Sequence, residues 1–165
     1  MKIESKAFTI PELKSRESNI DLEPGFQRGK VWSPTKKQKF LDSLLREWPT
    51  PKVFLRLTDK EHEIYQCIDG QQRLRTIFEF LNGKIPLLQD PSGSVLSKKF
   101  SKLKPSIKDK FTNYKFNVDI VEDDDDNIIG EFYLRLNQGV TVNSSEKLKS
   151  IGGKMKDFVW KLAKK

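Results

Sequence analysis

Ile64-Tyr65-Gln66-Cys67-Ile68-Asp69-Gly70-Gln71-Gln72-Arg73-Leu74-Arg75-Thr76-Ile77-Phe78-Glu79-Phe80-Leu81 changes its hydrophobic period halfway along. Residues Ile64 to Ile68 are rich in β-branched and aromatic side chains, a strand signal, whereas Leu74, Ile77, Phe78 and Leu81 recur at helical spacing. Asp69 to Arg73 is therefore expected at a strand-to-helix turn. There the first helical N–H groups lack intrahelical acceptors and the helix dipole is positive, so an anion such as phosphate is favoured. Arg73 adds a forked donor, and Gly70 lets a ligand approach the backbone. Upstream, Lys52 to Leu57 reads as a strand and Thr58 to Glu61 as a turn, so Glu63 to Ile68 is expected to close a hairpin.

Working outward, Phe8 to Leu13 reads as a short strand running into a helix, with Pro11 suited to the first helical turn. Asp21 to Trp32 is a loop broken by Pro24, Gly25 and Gly29. Ser33-Pro34 starts a helix whose apolar stripe is Phe40, Leu41, Leu44, Leu45 and Trp48, and Pro49 and Pro51 end it. Asn82-Gly83 stops the helix that begins at Gln71, and a short β excursion turns at Asp90 to Ser94. Phe116 to Val121 alternates as a half-buried strand. Ile128, Ile129, Phe132, Tyr133 and Leu136 then mark a helix ending near Asn137-Gln138-Gly139. Ser144 or Ser145 caps a last helix, broken at Gly152-Gly153 before an amphipathic tail around Met155, Phe158, Val159 and Trp160. The expected division is a core over 1–125 and a helical extension over 126–165, whose charged ending, Lys164-Lys165, points to a fragment of something longer.

The 165 residues carry 31 basic and 23 acidic side chains, a formal net charge of +8. Glu122 to Asp126 is an acidic run, so the rest is more basic than the total, most visibly at Lys98, Lys99, Lys102 and Lys104, followed by Lys108, Lys110 and Lys115. These lysines are a candidate nucleic-acid surface; the plainer reading is a solvated loop and helix. The acidic run reads as a solvated loop, with magnesium binding or contact with a basic partner as its alternatives. No apolar run approaches the roughly 20 residues of a membrane span, and the first residues lack the apolar stretch of a signal peptide. The single cysteine, Cys67, cannot form an internal disulfide and reads as a small buried hydrophobe, so a reducing, cytoplasmic setting is expected.

Several chemistries lack their residues. One histidine, His62 in a charged turn, supports neither a zinc site nor a histidine-metal nuclease centre, and no Walker-type G-x-x-x-x-G-K-[ST] stretch occurs. What remains is Arg28, Asp69, Gly70, Gln71, Gln72, Arg73 and Arg75. In the functional reading Arg28 and Arg73 clamp phosphate oxygens, Gln71 or Gln72 orients water or a base edge, and Asp69 holds magnesium or accepts a proton. In the structural reading Asp69 caps the helix and Arg73 pairs with Glu79 or Asp42. Spacing alone weighs the two about evenly.

The order of these features resembles a known family. Phe26-Gln27-Arg28, Val31-Trp32-Ser33, the helix with Leu41-Asp42-Ser43-Leu44-Leu45, Pro51 and a strand, then Ile68-Asp69-Gly70-Gln71-Gln72-Arg73-Leu74-Arg75-Thr76 is similar to the ParB/sulfiredoxin-like domain with a DGQQR motif. That domain stands at the N-terminus of GmrSD-type, modification-dependent restriction proteins. Phe132, Leu136-Asn137-Gln138-Gly139 and Ser145-Glu146-Lys147-Leu148 resemble the family's later block, so the likeness covers nearly the whole chain. It implies an α+β fold, a small mixed sheet flanked by helices, in which the motif binds a nucleoside triphosphate with Mg2+ and, in several members, hydrolyses it.

By this resemblance Asp69, Gln71 and Gln72 are the catalytic candidates, with Asp69 also the metal ligand. Arg28, Gly70, Arg73 and Arg75 bind the nucleotide. Turnover is coupled in such proteins to an HNH-type nuclease acting on modified or foreign DNA, which this sequence does not contain. Arg75 departs from the hydrophobic or Thr residue common after Arg73-Leu74, and either adds a phosphate contact or points to solvent. Sulfiredoxin chemistry is disfavoured, since Cys67 lies inside the strand. Two other readings stand beside nucleotide turnover: a DNA-binding module that senses modified DNA through its basic surface, and a scaffold whose motif has decayed.

Overall fold

A computed structural model describes residues 1–24, 31–89 and 92–136. In chain order the elements are β1 (Lys2–Thr9), α1 (Ile10–Ser15), β2 (Ile20–Asp21), α2 (Pro34–Leu45), β3 (Val53–Asp59), β4 (Ile64–Asp69), α3 (Gln71–Leu81), β5 (Leu87–Gln89), β6 (Val95–Lys98), α4 (Pro105–Asn113), β7 (Lys115–Glu122) and α5 (Asp126–Leu136). Short 3-10 turns occupy Glu17–Asn19 and Phe100–Lys102. The fold is α+β, as the sequence led us to expect.

Five strands form one mixed sheet in the order β1-β7-β3-β4-β2, and β5 and β6 pair separately. The hairpin of β3 and β4 is antiparallel, β3 runs parallel to β7, and β1 closes the far edge antiparallel to β7. The parallel step from β3 to β7 needs a crossover, and α3, the β5–β6 ribbon and α4 lie within it. On one face of the sheet Leu41, Leu44, Leu74, Ile77, Phe80, Phe111 and Phe116 are all buried in a single apolar cluster. On the other, Ile129 and Tyr133 of α5 pack with Ile68 of β4 and Val121 of β7. Both faces of the central strands are thereby covered.

Local chemistry explains the boundaries. Ser33 caps α2 by accepting the Lys36 N–H, with Pro34 at the first helical position. Thr9 and Glu12 bridge the start of α1, where the Thr9 N–H and hydroxyl both donate to Glu12 Oε2 at 2.7 Å. That backbone N–H holds the Glu12 carboxyl below its ordinary range, with the hydroxyl adding to the effect.

Two expectations needed correction. β1 begins at Lys2 rather than near Phe8, because the polar stretch Lys2 to Lys6 is an edge strand whose side chains stay in water. Trp48 does not continue the apolar stripe of α2. Pro49 disfavours helical backbone at Trp48, the chain turns at Glu47 (φ 57°), and the indole is 56% exposed beneath the Arg46 guanidinium. The expected features after Leu136 lie outside the described residues.

Candidate functional site

β4 delivers Asp69 to the sheet end beside the start of β3, and Gly70 turns the chain into α3 with φ +102°. An added Cβ at Gly70 would lie 2.6 Å from Val53 Cγ2 and 3.1 Å from Arg73 Nη2. The left-handed backbone and the close approach of β3 therefore both require glycine. No described side chain caps α3, so its first N–H groups lack a side-chain acceptor.

Arg73 folds back over this turn. Its Nη2 donates to Asp69 Oδ2 at 2.6 Å and to the Lys52 carbonyl at 2.9 Å. The structural reading of the sequence is thus corrected in its partners. Gly70, not Asp69, is the N-cap; Glu79 pairs with Lys37, and Asp42 with Arg46. Arg73 lies four residues after Asp69, one helical turn, which places its donors on the adjoining carboxylate before any more distant acid. Lys52, which sequence reasoning missed, is fixed at both ends, because its ammonium also lies 3.0 Å from the buried Asp119 carboxylate. A backbone acceptor leaves no side-chain signature by which Lys52 could have been found.

The two glutamines differ in role. Gln71 is 9% exposed, and its Nε2 has no hydrogen-bond partner among the described residues; the buried Nε of Arg73 also lacks one among them. Gln72 accepts the Trp32 N–H through Oε1 at 3.0 Å. Trp32 packs edge-on to Phe40 at 5.4 Å, with Lys36 Nζ over its ring. Arg75, one turn further along α3, forms an ion pair with Glu23. Gln72 and Arg75 thus tie α3 to the chain on both sides of 25–30. Arg28 lies within that stretch, outside the described residues.

A family model for the GmrSD restriction endonuclease, N-terminal domain, matches residues 10–152. The chain belongs to this family. No curated protein and no solved structure matches it. As a GmrSD-type N-terminal domain, it is a domain of the restriction and phage-defence kind.

Other candidate residues of this GmrSD-type domain lie away from the turn. Lys98 ends β6, Lys99 precedes the 3-10 turn at Phe100–Lys102, and Lys104 precedes α4; with Lys102, all are exposed. They lie towards the C-terminal end of α3, where Phe80 meets Phe100 at 5.5 Å and Lys99 approaches Gly83. An 11-residue helix separates its ends by about 16 Å.

The acidic run shapes the connection into α5. Asp123 accepts the Asp125 N–H, Asp125 accepts the Asn127 N–H, and Asp126 pairs with Arg56. The Asp125 N–H holds the Asp123 carboxyl below the usual carboxylate range. No group of three or more potential metal-ligating side chains forms among the described residues.

Cys67 is fully buried, and burial, helped by the Asp69 carboxylate, pushes its thiol far above the ordinary range. The thiolate needed for nucleophilic chemistry is thereby suppressed. His62 sits in the β3–β4 turn and pairs with Asp59, whose carboxyl is lowered by the His62 backbone N–H and then by the ring. No described helix is long and apolar enough to cross a membrane.

Proposed function

We propose that the turn from Asp69 to Arg73 binds a nucleoside triphosphate with magnesium and hydrolyses it, as the regulatory part of a DNA-restriction protein. The observation that carries this reading is the start of α3 beside Gly70, without a side-chain cap, and two buried donors with no partner among the described residues, Gln71 Nε2 and Arg73 Nε. A buried donor without a partner costs about 1–3 kcal/mol, a cost that an acceptor-rich ligand would remove. Triphosphate oxygens supply acceptors at the end of the helix whose dipole favours negative charge.

In this reading Gly70 admits the phosphates to the backbone, Arg73 and Gln71 donate to them, and Gln72 keeps its amide NH2 for a water or a base oxygen while its oxygen holds Trp32. Arg75 steadies the chain that leads through Glu23 to Arg28. Asp69 is the carboxylate next to the anion site and would hold magnesium. One carboxylate suits an ion carried mainly by phosphate oxygens and water. When bound, magnesium would neutralise charge on the phosphates and polarise the bond to be broken. The Asp69 carboxylate would also accept the proton of the attacking water. Turnover in this domain would then govern a nuclease on a C-terminal or separate HNH domain, with DNA as the final target.

Phosphate release from ATP, GTP, CTP and UTP tests the assignment. Asp69→Asn keeps the size of the side chain and an acceptor for Arg73 while removing the base and the metal charge. It should lower magnesium-dependent release by about a hundredfold or more. An unchanged rate in Asp69→Asn would remove Asp69 from the chemistry.

A further inference from the structure

Among the described residues, formal positive charge is concentrated in one stretch of the fold. Residues 84–115 hold eight lysines against Asp90 and Asp109, a net +6. Among the other described residues most lysines face a carboxylate: Lys2, Lys6, Lys14, Lys37, Lys52 and Lys60 all do. Lys84, Lys98, Lys99, Lys102 and Lys104 have exposed side chains with no ion pair or hydrogen bond to a described residue. Four of the five fall within Lys98 to Lys104, and the Lys99 side chain reaches Gly83 next to Lys84. Lys108 is different, since its ammonium donates to the Ser101 carbonyl and lies over the Phe100 ring.

The support beneath these lysines is rigid. Phe100 packs against both Phe80 and Phe111, and Leu103 is buried, so the 3-10 turn that carries Lys102 is anchored to α3 and α4. Five ammonium groups without a carboxylate partner among the described residues repel one another, and a partner of dense negative charge relieves that repulsion and releases their counter-ions.

We infer that this lysine surface is a contact for the phosphate backbone of a nucleic-acid duplex, made without regard to base sequence. Lysine supplies point charges rather than the planar fork that reads guanine, and no arginine lies within 84–115. The aromatic rings here are Phe100, Phe111 and Tyr114, each partly or fully buried, so no exposed ring stacks an unpaired base. A lipid surface fits less well, because Leu88 is the single large apolar side chain exposed among the described residues of the stretch. The inference is independent of the nucleotide site at the other end of α3.

The test uses the whole chain and four probes: a labelled duplex, a single strand of the same length, an acidic peptide and vesicles of neutral and anionic lipid. Fluorescence anisotropy should show duplex binding with a slope of about −4 in log K against log salt, from about 0.9 per phosphate contact. Replacing Lys98, Lys99, Lys102 and Lys104 by Gln should flatten that slope and weaken duplex binding roughly a hundredfold relative to the parent at 50 mM salt. Circular dichroism and phosphate release from nucleotides should stay as in the parent. The inference is overturned if the quadruple variant binds duplex as the parent does. It is equally overturned if the single strand, the peptide or the vesicles bind as tightly as the duplex and lose affinity in that variant.

Discussion

Arg73→Ala should weaken nucleoside-triphosphate binding in a calorimetric titration by roughly ten- to a hundredfold, the loss of one or two charge-assisted hydrogen bonds. The guanidinium is 13% exposed and held in place by the Asp69 carboxylate and the Lys52 carbonyl, so it is ordered before any ligand arrives. A donor ordered in advance loses little conformational freedom on binding, which is why its removal should be felt in affinity. The cost to stability should be smaller, about 1 kcal/mol, because Asp69 is 37% exposed and water takes the place of its partner. Unchanged circular dichroism together with lost affinity is therefore expected. Arg73→Lys should recover only part of the binding, since an ammonium cannot serve the carboxylate, the carbonyl and a phosphate with one planar fork. If Arg73→Ala binds nucleotide as tightly as the parent, the site lies elsewhere.

Gly70→Ala should destabilise the fold by about 3 kcal/mol in urea unfolding, from strain at positive φ together with overpacking. The new methyl would lie 2.6 Å from Val53 Cγ2, a contact that the flanking backbone of β3 and α3 must move to relieve. That movement would displace the first N–H groups of α3 and the carbonyl at Lys52, so the anion site should be lost with the stability. Val53→Ala in the same chain should ease the clash but not the strain at φ +102°, and only part of the loss should return. A Gly70→Ala chain as stable as the parent would contradict the geometry of the turn.

The local signals of the sequence carried the centre of this fold. The β-branched and aromatic content of Ile64 to Ile68, helical spacing from Leu74 to Leu81 and the Ser33-Pro34 cap each act over a few residues, and each is found where it was read. The β1–β7 pairing was not legible, because it joins Lys2 to Glu122 across most of the described chain and no periodicity encodes register at that separation. Trp48 was misread because an apolar stripe counts positions without asking whether the backbone still winds there. At the site, the residue types Asp, Gly, Gln and Arg were legible but their mutual contacts were not. Whether Arg73 turns to Asp69, Asp42 or Glu79 depends on where β3 places the Lys52 carbonyl, a tertiary fact. The same holds for Gln72, whose partner is a backbone N–H forty residues away.

The central claim is that Asp69 to Arg73 forms a magnesium-assisted triphosphate site. Calorimetric titration of the parent chain with ATP, GTP, CTP and UTP, with and without magnesium, tests it most directly. Saturable one-to-one binding of at least one triphosphate, tightened by magnesium and not reproduced by its nucleoside, is the predicted result. No heat from any of the four, or equal affinity for nucleoside and triphosphate, would contradict it.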